Sequence, residues 1–209
     1  MRIEEQVQGI DLVLQTNEEV FSPGAVDRGT KAMLSFVSFT EGDKVLDLGC
    51  GCGVVGICAA KQIGAENVVL CDVSQNAVLL SRQNAEINGV GDVTVRQSDG
   101  LKEIPEKEFT LILSNPPYHT DFAVAKGFIE EGFKKLVIGG RMVMVTKRLD
   151  WYRNKLASVF GGVTVKEKDG YYVFFAEKRG NKAPKKEKKN QQVMSKKLQR
   201  KYGKKTSAK

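Results

Sequence analysis

Two short stretches of this 209-residue chain concentrate the residue types that could do chemistry. The first is DLGCGCGVVG, residues 47–56, in which one acid leads into four glycines. The second is NPPY, residues 115–118, in which an amide, two prolines and a phenol ring close the apolar run FTLILS. Glycine at such density lets backbone pass close to a ligand and turn tightly. A strand that ends in Asn-Pro-Pro presents hydrogen-bond acceptors on a backbone with little freedom.

The glycine loop has two readings. Gly51, Gly53 and Gly56 satisfy G-x-G-x-x-G, and Asp72 stands where a dinucleotide fingerprint keeps its ribose-binding acid, so a nicotinamide or flavin enzyme must be considered. Asp47, Gly49, Gly51 and Gly53 equally satisfy D-x-G-x-G-x-G, the loop of the S-adenosylmethionine (SAM) enzymes. Charge separates the two. A pyrophosphate wants only N–H groups and a helix N-terminus, whereas SAM carries an ammonium and a sulfonium. An acid entering the loop opposes the first and favours the second, and Asp47 is that acid. Its alternative role is to cap loop amides. Asp72 suits ribose hydroxyls in either reading. Asp99, in QSDG, stands where SAM enzymes hold the adenine amine, although an Asp before Gly is also a turn residue.

With SAM as donor, the rigid turn after residue 114 acquires a purpose. The lone pair of an amine on a base or an amide is delocalised. Accepting hydrogen bonds from both of its N–H groups favours a pyramidal nitrogen whose lone pair can point at a methyl group. Asn115 offers its side-chain oxygen, and Pro116 offers a carbonyl on backbone held extended by Pro117. Tyr118 offers a face for the target ring, a stacking contact of ~1–3 kcal/mol per base. The donor is already activated, so no strong base is required. His119, the single histidine, is assigned no catalytic role and orients the turn or touches a substrate phosphate. The competing account of NPPY is a proline turn with an Asn cap and a packed tyrosine.

Composition narrows the field. Cys50, Cys52, Cys58 and Cys71 fall in one apolar region, as reduced, packed thiols of a cytosolic protein do. A C-x-C spacing with one histidine in the chain argues against a metal site. The net charge of +8 is concentrated at one end: residues 180–209 hold 12 Lys/Arg against one acid, and the rest holds 21 against 24. Such a tail suits a polyanion, RNA ahead of an acidic membrane, or it is a solvated end that aids solubility. Met194, Leu198 and Tyr202 recur there at helical spacing and could order on binding. MRIEEQVQ lacks an apolar core and no apolar run approaches ~18 residues, so neither a secretory signal nor a membrane span is expected, and the location expected is cytoplasmic. Oligomeric state has no signature.

Strand and helix patterns alternate from Lys44 onward. Strands are expected at 44–49, 67–73, 93–99, 109–115 and 140–147. Helices are expected at 54–64, at 74–90 with Ser74 as N-cap, around 122–136, and at 150–161 opened by Asp150. Residues 163–178 read as two strands around Asp169-Gly170, a hairpin signal. The α/β class follows: a doubly wound, mostly parallel seven-stranded sheet with one antiparallel strand and a C-terminal β-hairpin. Residues 1–43 form a lead-in, 44–179 the domain, and 180–209 the basic, disordered tail.

These motifs resemble the class I SAM-dependent methyltransferases that act on exocyclic amines, specifically the small methyltransferase-domain family, over roughly residues 15–178. VFSPGAVDRGTKAML (20–34) is similar to the lead-in of the ribosomal RNA guanine-N2 group. The resemblance implies a Rossmann-like fold and cofactor contacts from Asp47, Gly49, Cys50, Gly51, Gly53, Asp72, Val73, Asp99, Gly100 and Asn115. It implies that Asn115, Pro116 and Tyr118 handle the amine and its base, and that Phe21, Asp27 and Thr30 border the site. Thr30 could equally cap a helix, and Phe21 could pack in the core. RNA, most simply ribosomal RNA, is the implied partner, through the site and the basic tail. Two departures matter: larger members of that group carry a second, degenerate domain copy, and Tyr118 also occurs in adenine-N6 and glutamine-N5 methyltransferases. Those acceptors remain alternatives, as does a non-catalytic RNA-binding protein on the same fold. A TKRLDWYRNKL segment (146–156) mixes cations and aromatics either as an RNA-facing edge or as a capped helix with Trp151 turned inward.

Overall fold

The computed structural model describes residues 1–17, 24–117 and 122–180. Seven strands form the main sheet: β3 (Val45–Leu48), β4 (Val68–Asp72), β5 (Thr94–Gln97), β6 (Phe109–Ser114), β7 (Leu136–Thr146), β8 (Thr164–Lys168) and β9 (Tyr171–Glu177). Their order is β5-β4-β3-β6-β7-β9-β8, and only β9 runs against the others. This is the doubly wound α/β sheet expected from the sequence, hairpin included. Asp169 and Gly170 both take positive φ (54° and 77°), as a tight hairpin turn requires.

Strand side chains alternate, so each strand feeds two cores. Val45, Leu111, Leu113, Val143 and Val173 face one layer, completed by α1 (Arg28–Leu34), α2 (Val54–Ile63) and α3 (Gln75–Ile87). Leu46, Leu48, Ile112, Met142, Met144 and Phe174 face the other, completed by α4 (Phe122–Lys135) and α5 (Leu149–Phe160). Gly56 lets α2 lie directly on β4, because a Cβ there would fall 2.4 Å from the Leu70 side chain. Ser74 caps α3 through Ala77 N, as expected.

Two expectations need correction. β7 starts at Leu136, directly after α4, instead of at residue 140. Gly139 and Gly140 stay in the ladder by exchanging backbone hydrogen bonds with Lys178, each 2.8 Å. Asp150 does not open α5: Arg148 occupies the N-cap position without a side-chain cap, and Asp150 pairs with Arg153 at 2.8 Å inside the first turn. An acid there still meets the positive end of the helix dipole. Trp151 does turn inward, stacked on Phe122 with ring centroids 4.3 Å apart.

The lead-in holds a hairpin that was not anticipated, β1 (Arg2–Val7) paired with β2 (Ile10–Gln15). Gln8 and Gly9 make its turn with φ of 54° and 76°. The hairpin docks on α3 through two asparagines. Asn84 accepts from Gln15 N (2.6 Å) and donates to Gln15 O (3.0 Å); Asn88 does the same with Val13 (3.1 and 2.7 Å). The spacing fits because four residues along a helix advance about 6 Å and two along a strand about 6.7 Å. Two side chains of α3 thus act as an added strand. Asn84 Nδ2 also reaches Cys52 O at 2.9 Å, tying the hairpin to the glycine loop. Asn84→Ala would leave three backbone groups unpaired, and we expect a loss of about 3 kcal/mol in urea unfolding. A change within ~0.5 kcal/mol would contradict this account of the docking.

Candidate active site

Strand order reverses between β3 and β6, so the loops leaving their carboxyl ends border a crevice, the usual ligand site of such sheets. A cleft of about 360 Å³ lies there. Its walls bring together Asp47, Gly49, Cys50, Gly51, Asp72, Val73, Asp99, Gly100, Asn115 and Pro116, all expected from the sequence. Gly53 is the exception among the described residues. It sits behind the loop as the N-cap position of α2, with φ 89°, and its missing Cβ spares Ser81, Ile57 and Leu70 at 3.1–3.3 Å. Tyr118, His119 and Phe21 lie outside the described residues, as does the tail from residue 181.

The loop spends its own amides. Gly49 N and Cys50 N both donate to Cys71 O (2.9 and 3.0 Å), Gly51 N to Asp72 Oδ2 (3.0 Å), Gly53 N to Cys50 O (2.9 Å) and Gly56 N to Asp47 Oδ2 (2.9 Å). Asp47 therefore fills the capping role and also lines the cleft. Burial pushes its carboxyl up to about 7; the Gly56 amide opposes the rise and the neighbouring Asp72 charge adds to it. Asp72 Oδ1 accepts from Ser74 N at 2.9 Å, which fixes the carboxylate at the end of β4. Asp99 is exposed and ion-paired with Lys102.

Asp27, Asp47, Asp72 and Asp99 give the cleft four carboxylates, and no Lys or Arg lines it among the described residues. Such a site opposes a pyrophosphate twice, by charge and by amides already engaged, and suits a cationic ligand with hydroxyls. Val73, 65% exposed, stands with Val124 and Phe128 as apolar surface for a flat ring. The cysteines are free thiols, and burial raises all of them: Cys50 well above its usual range, Cys52 to about 11, Cys58 and Cys71 to about 12. None is a ready nucleophile near neutral pH. No group of three or more His, Cys, Asp or Glu side chains placed to hold a metal occurs among the described residues.

The segment after β6 is tied down where it leaves the strand. Ser114 Oγ donates to Leu48 O at 2.8 Å, and Asn115 Nδ2 donates to Asp27 Oδ1 at 2.7 Å and Thr30 Oγ1 at 3.1 Å. Asp27, and not Thr30, caps α1: its carboxylate accepts from Thr30 N at 3.0 Å, and both residues line the cleft. Sequence reasoning missed Ile3, Val124 and Phe128 among the lining residues, and Asn84 behind them. The alternation flanking Gln8-Gly9 was the one signal that could have found the hairpin that carries Ile3.

The methyltransferase small domain family matches residues 11–175. Ribosomal RNA small subunit methyltransferase C of Cronobacter sakazakii is 35% identical over 178 residues, covering 83% of this chain and 51% of that protein. The uncharacterized protein YbxB of Bacillus subtilis is 31% identical over 176 residues, 80% of this chain and 87% of that one. Among solved structures, the Thermus thermophilus 16S rRNA N2 G1207 methyltransferase RsmC, in complex with AdoMet and guanosine, superposes with a TM-score of 0.78 at 26% identity, over 86% of this chain and 50% of the other. The chain spans about half the length of the ribosomal RNA methyltransferases it matches. With the family model matched over residues 11–175, this chain belongs to the methyltransferase small domain family.

Proposed function

We propose that this protein transfers a methyl group from SAM to an exocyclic amine of RNA, with guanine N2 of ribosomal RNA as the acceptor. The observation that carries the reading is the meeting, in one cleft, of an acidic glycine loop with the Asn115-Pro116 acceptors. The relatives that act on ribosomal RNA, and the guanosine-bound structure, support the choice of guanine. Asp47 and Asp72 would hold the cationic and ribose parts of the cofactor, and Val73, Gly100 and Phe128 its ring. SAM supplies a methyl group already activated on sulfur. Asn115 Oδ1 and Pro116 O then orient the amine, and Tyr118 stacks the base. The amine's surplus proton departs to water after transfer, so the site needs no strong base. The basic tail would hold RNA phosphates.

Calorimetry separates the cofactor readings, with SAM binding and NADH not. Asn115→Ala should keep SAM affinity within about twofold and lose at least ~10²-fold in methylation of ribosomal RNA, a loss of the size expected for an interaction made mainly in the transition state. Undiminished turnover in that variant would contradict the amine-orienting role.

Asp47 makes SAM binding depend on pH. Its raised pKa leaves it largely protonated below about 7, and a bound cation favours the ionised form. Affinity should rise up to about tenfold per pH unit between pH 5.5 and 7 and then level off, with Asp47→Asn lacking the slope. A flat profile in the unsubstituted protein would remove Asp47 from cation binding.

Truncation after Gly180 should weaken RNA binding and reduce the steepness of its salt dependence, because fewer phosphates are neutralised. An unchanged salt slope would return the tail to a solubility role.

A further inference from the structure

The amide of Asn115 can act as an acceptor toward an amine in only one of its two orientations. A half-turn about its last side-chain bond exchanges oxygen and nitrogen, and that torsion is soft. In this protein the nitrogen end is held twice, by Asp27 Oδ1 at 2.7 Å and Thr30 Oγ1 at 3.1 Å. An ionised carboxylate only accepts hydrogen bonds, so an amide oxygen turned toward Asp27 would meet lone pairs and charge instead of a donor. The oxygen end is thereby directed away from Asp27.

We infer that Asp27 and Thr30 are positioning residues for the reaction: they set which end of the Asn115 amide meets the amine. The inference rests on the reading of Asn115 as the amine's acceptor. Asp27 also contributes through charge, since donation from an amide N–H to a carboxylate polarises the amide and strengthens its oxygen as an acceptor.

The latch is supported from behind. Asp27 Oδ1 is the same atom that caps α1 through Thr30 N at 3.0 Å, so the start of the helix and the orientation of Asn115 share one oxygen. α1 in turn is fixed by the hairpin. Gln8 Nε2 donates to Leu34 O (2.5 Å) and Val37 O (2.7 Å), and Lys31 pairs with Glu5 at 2.6 Å. The lead-in thereby serves the chemistry without supplying a reacting group.

Substitutions can separate the latch from the cap. Serine caps helices about as well as aspartate but is too short to reach Asn115. Asp27→Ser should therefore keep the melting temperature within about 3 °C while kcat on ribosomal RNA, read at saturating SAM, falls at least tenfold. Thr30→Val should lower kcat at least threefold, and Thr30→Ser, which keeps the hydroxyl, should restore at least half of it. KM for RNA should stay within about twofold throughout.

Full kcat in both Asp27→Ser and Thr30→Val, alongside a disabled Asn115→Ala, would overturn the positioning role and leave the acceptor reading intact. An Asn115→Ala variant as active as the parent would instead remove the reading beneath it. If Asp27→Ser proves poorly folded, the Thr30→Val and Thr30→Ser pair decides: equal kcat values for the two overturn the proposal.

Discussion

The parallel pairing of β3 with β6 is the contact on which the site depends. Val45–Asp47 lie beside Leu111–Leu113, and the buried Ser114 hydroxyl joins the two strand ends at the Leu48 carbonyl. Both strands stop at one level, and the sheet's order reverses between them, so the glycine loop and the Asn115-Pro116 turn border the same crevice. Register is specified strongly here because both faces are buried. A slip of one residue in β3 would swing Asp47 from α2 to the apolar layer under α4, away from the Gly56 amide it caps. Fold and charge placement are therefore one problem in this molecule.

Segments far apart in sequence meet at the cleft, among them 25–30, 47–55, 71–77, 98–100 and 115–117. Ordering them costs conformational entropy, and the offset comes from polar side chains that answer backbone in place of secondary structure. Asn84 bonds β2 and the glycine loop, Asn88 bonds β2, Asp72 bonds the glycine loop and the start of α3, and Asp27 bonds α1 and Asn115. A loop that spends the amides of Gly49, Cys50, Gly51, Gly53 and Gly56 within the protein has fewer to give an anion, while its carboxylates remain to meet a cation. The same bonds that hold the glycine loop thus select its ligand.

Much of this was legible in the sequence because it rests on periodicity and local turn chemistry. The strand-helix alternation after Lys44, the Ser74 cap and the Asp169-Gly170 hairpin are each decided within a few residues. The glycine loop and the Asn115-Pro116-Pro117 turn were legible for the same reason, and so was the cleft they share once the sheet was doubly wound. What escaped depends on partners far away in sequence. Asn84 is an ordinary polar residue in a helix until β2 docks on it 69 positions earlier. The start of α5 is set by its entry from β7, where Thr146 Oγ1 accepts from Arg148 N at 3.2 Å, and Asp150 falls inside the first turn. Asp27 could be placed near the site by resemblance, but its bond to Asn115, 88 residues away, could not be read from either motif alone.

Methylation of guanine N2 by way of Asn115 is tested most directly by nucleoside mass spectrometry of ribosomal RNA from cells lacking this protein, complemented with the parent chain or with Asn115→Ala. The account predicts a deficit of N2-methylguanosine that the parent chain restores and Asn115→Ala does not. Unchanged N2-methylguanosine, or a deficit confined to another methylated nucleoside such as N6-methyladenosine, would contradict it.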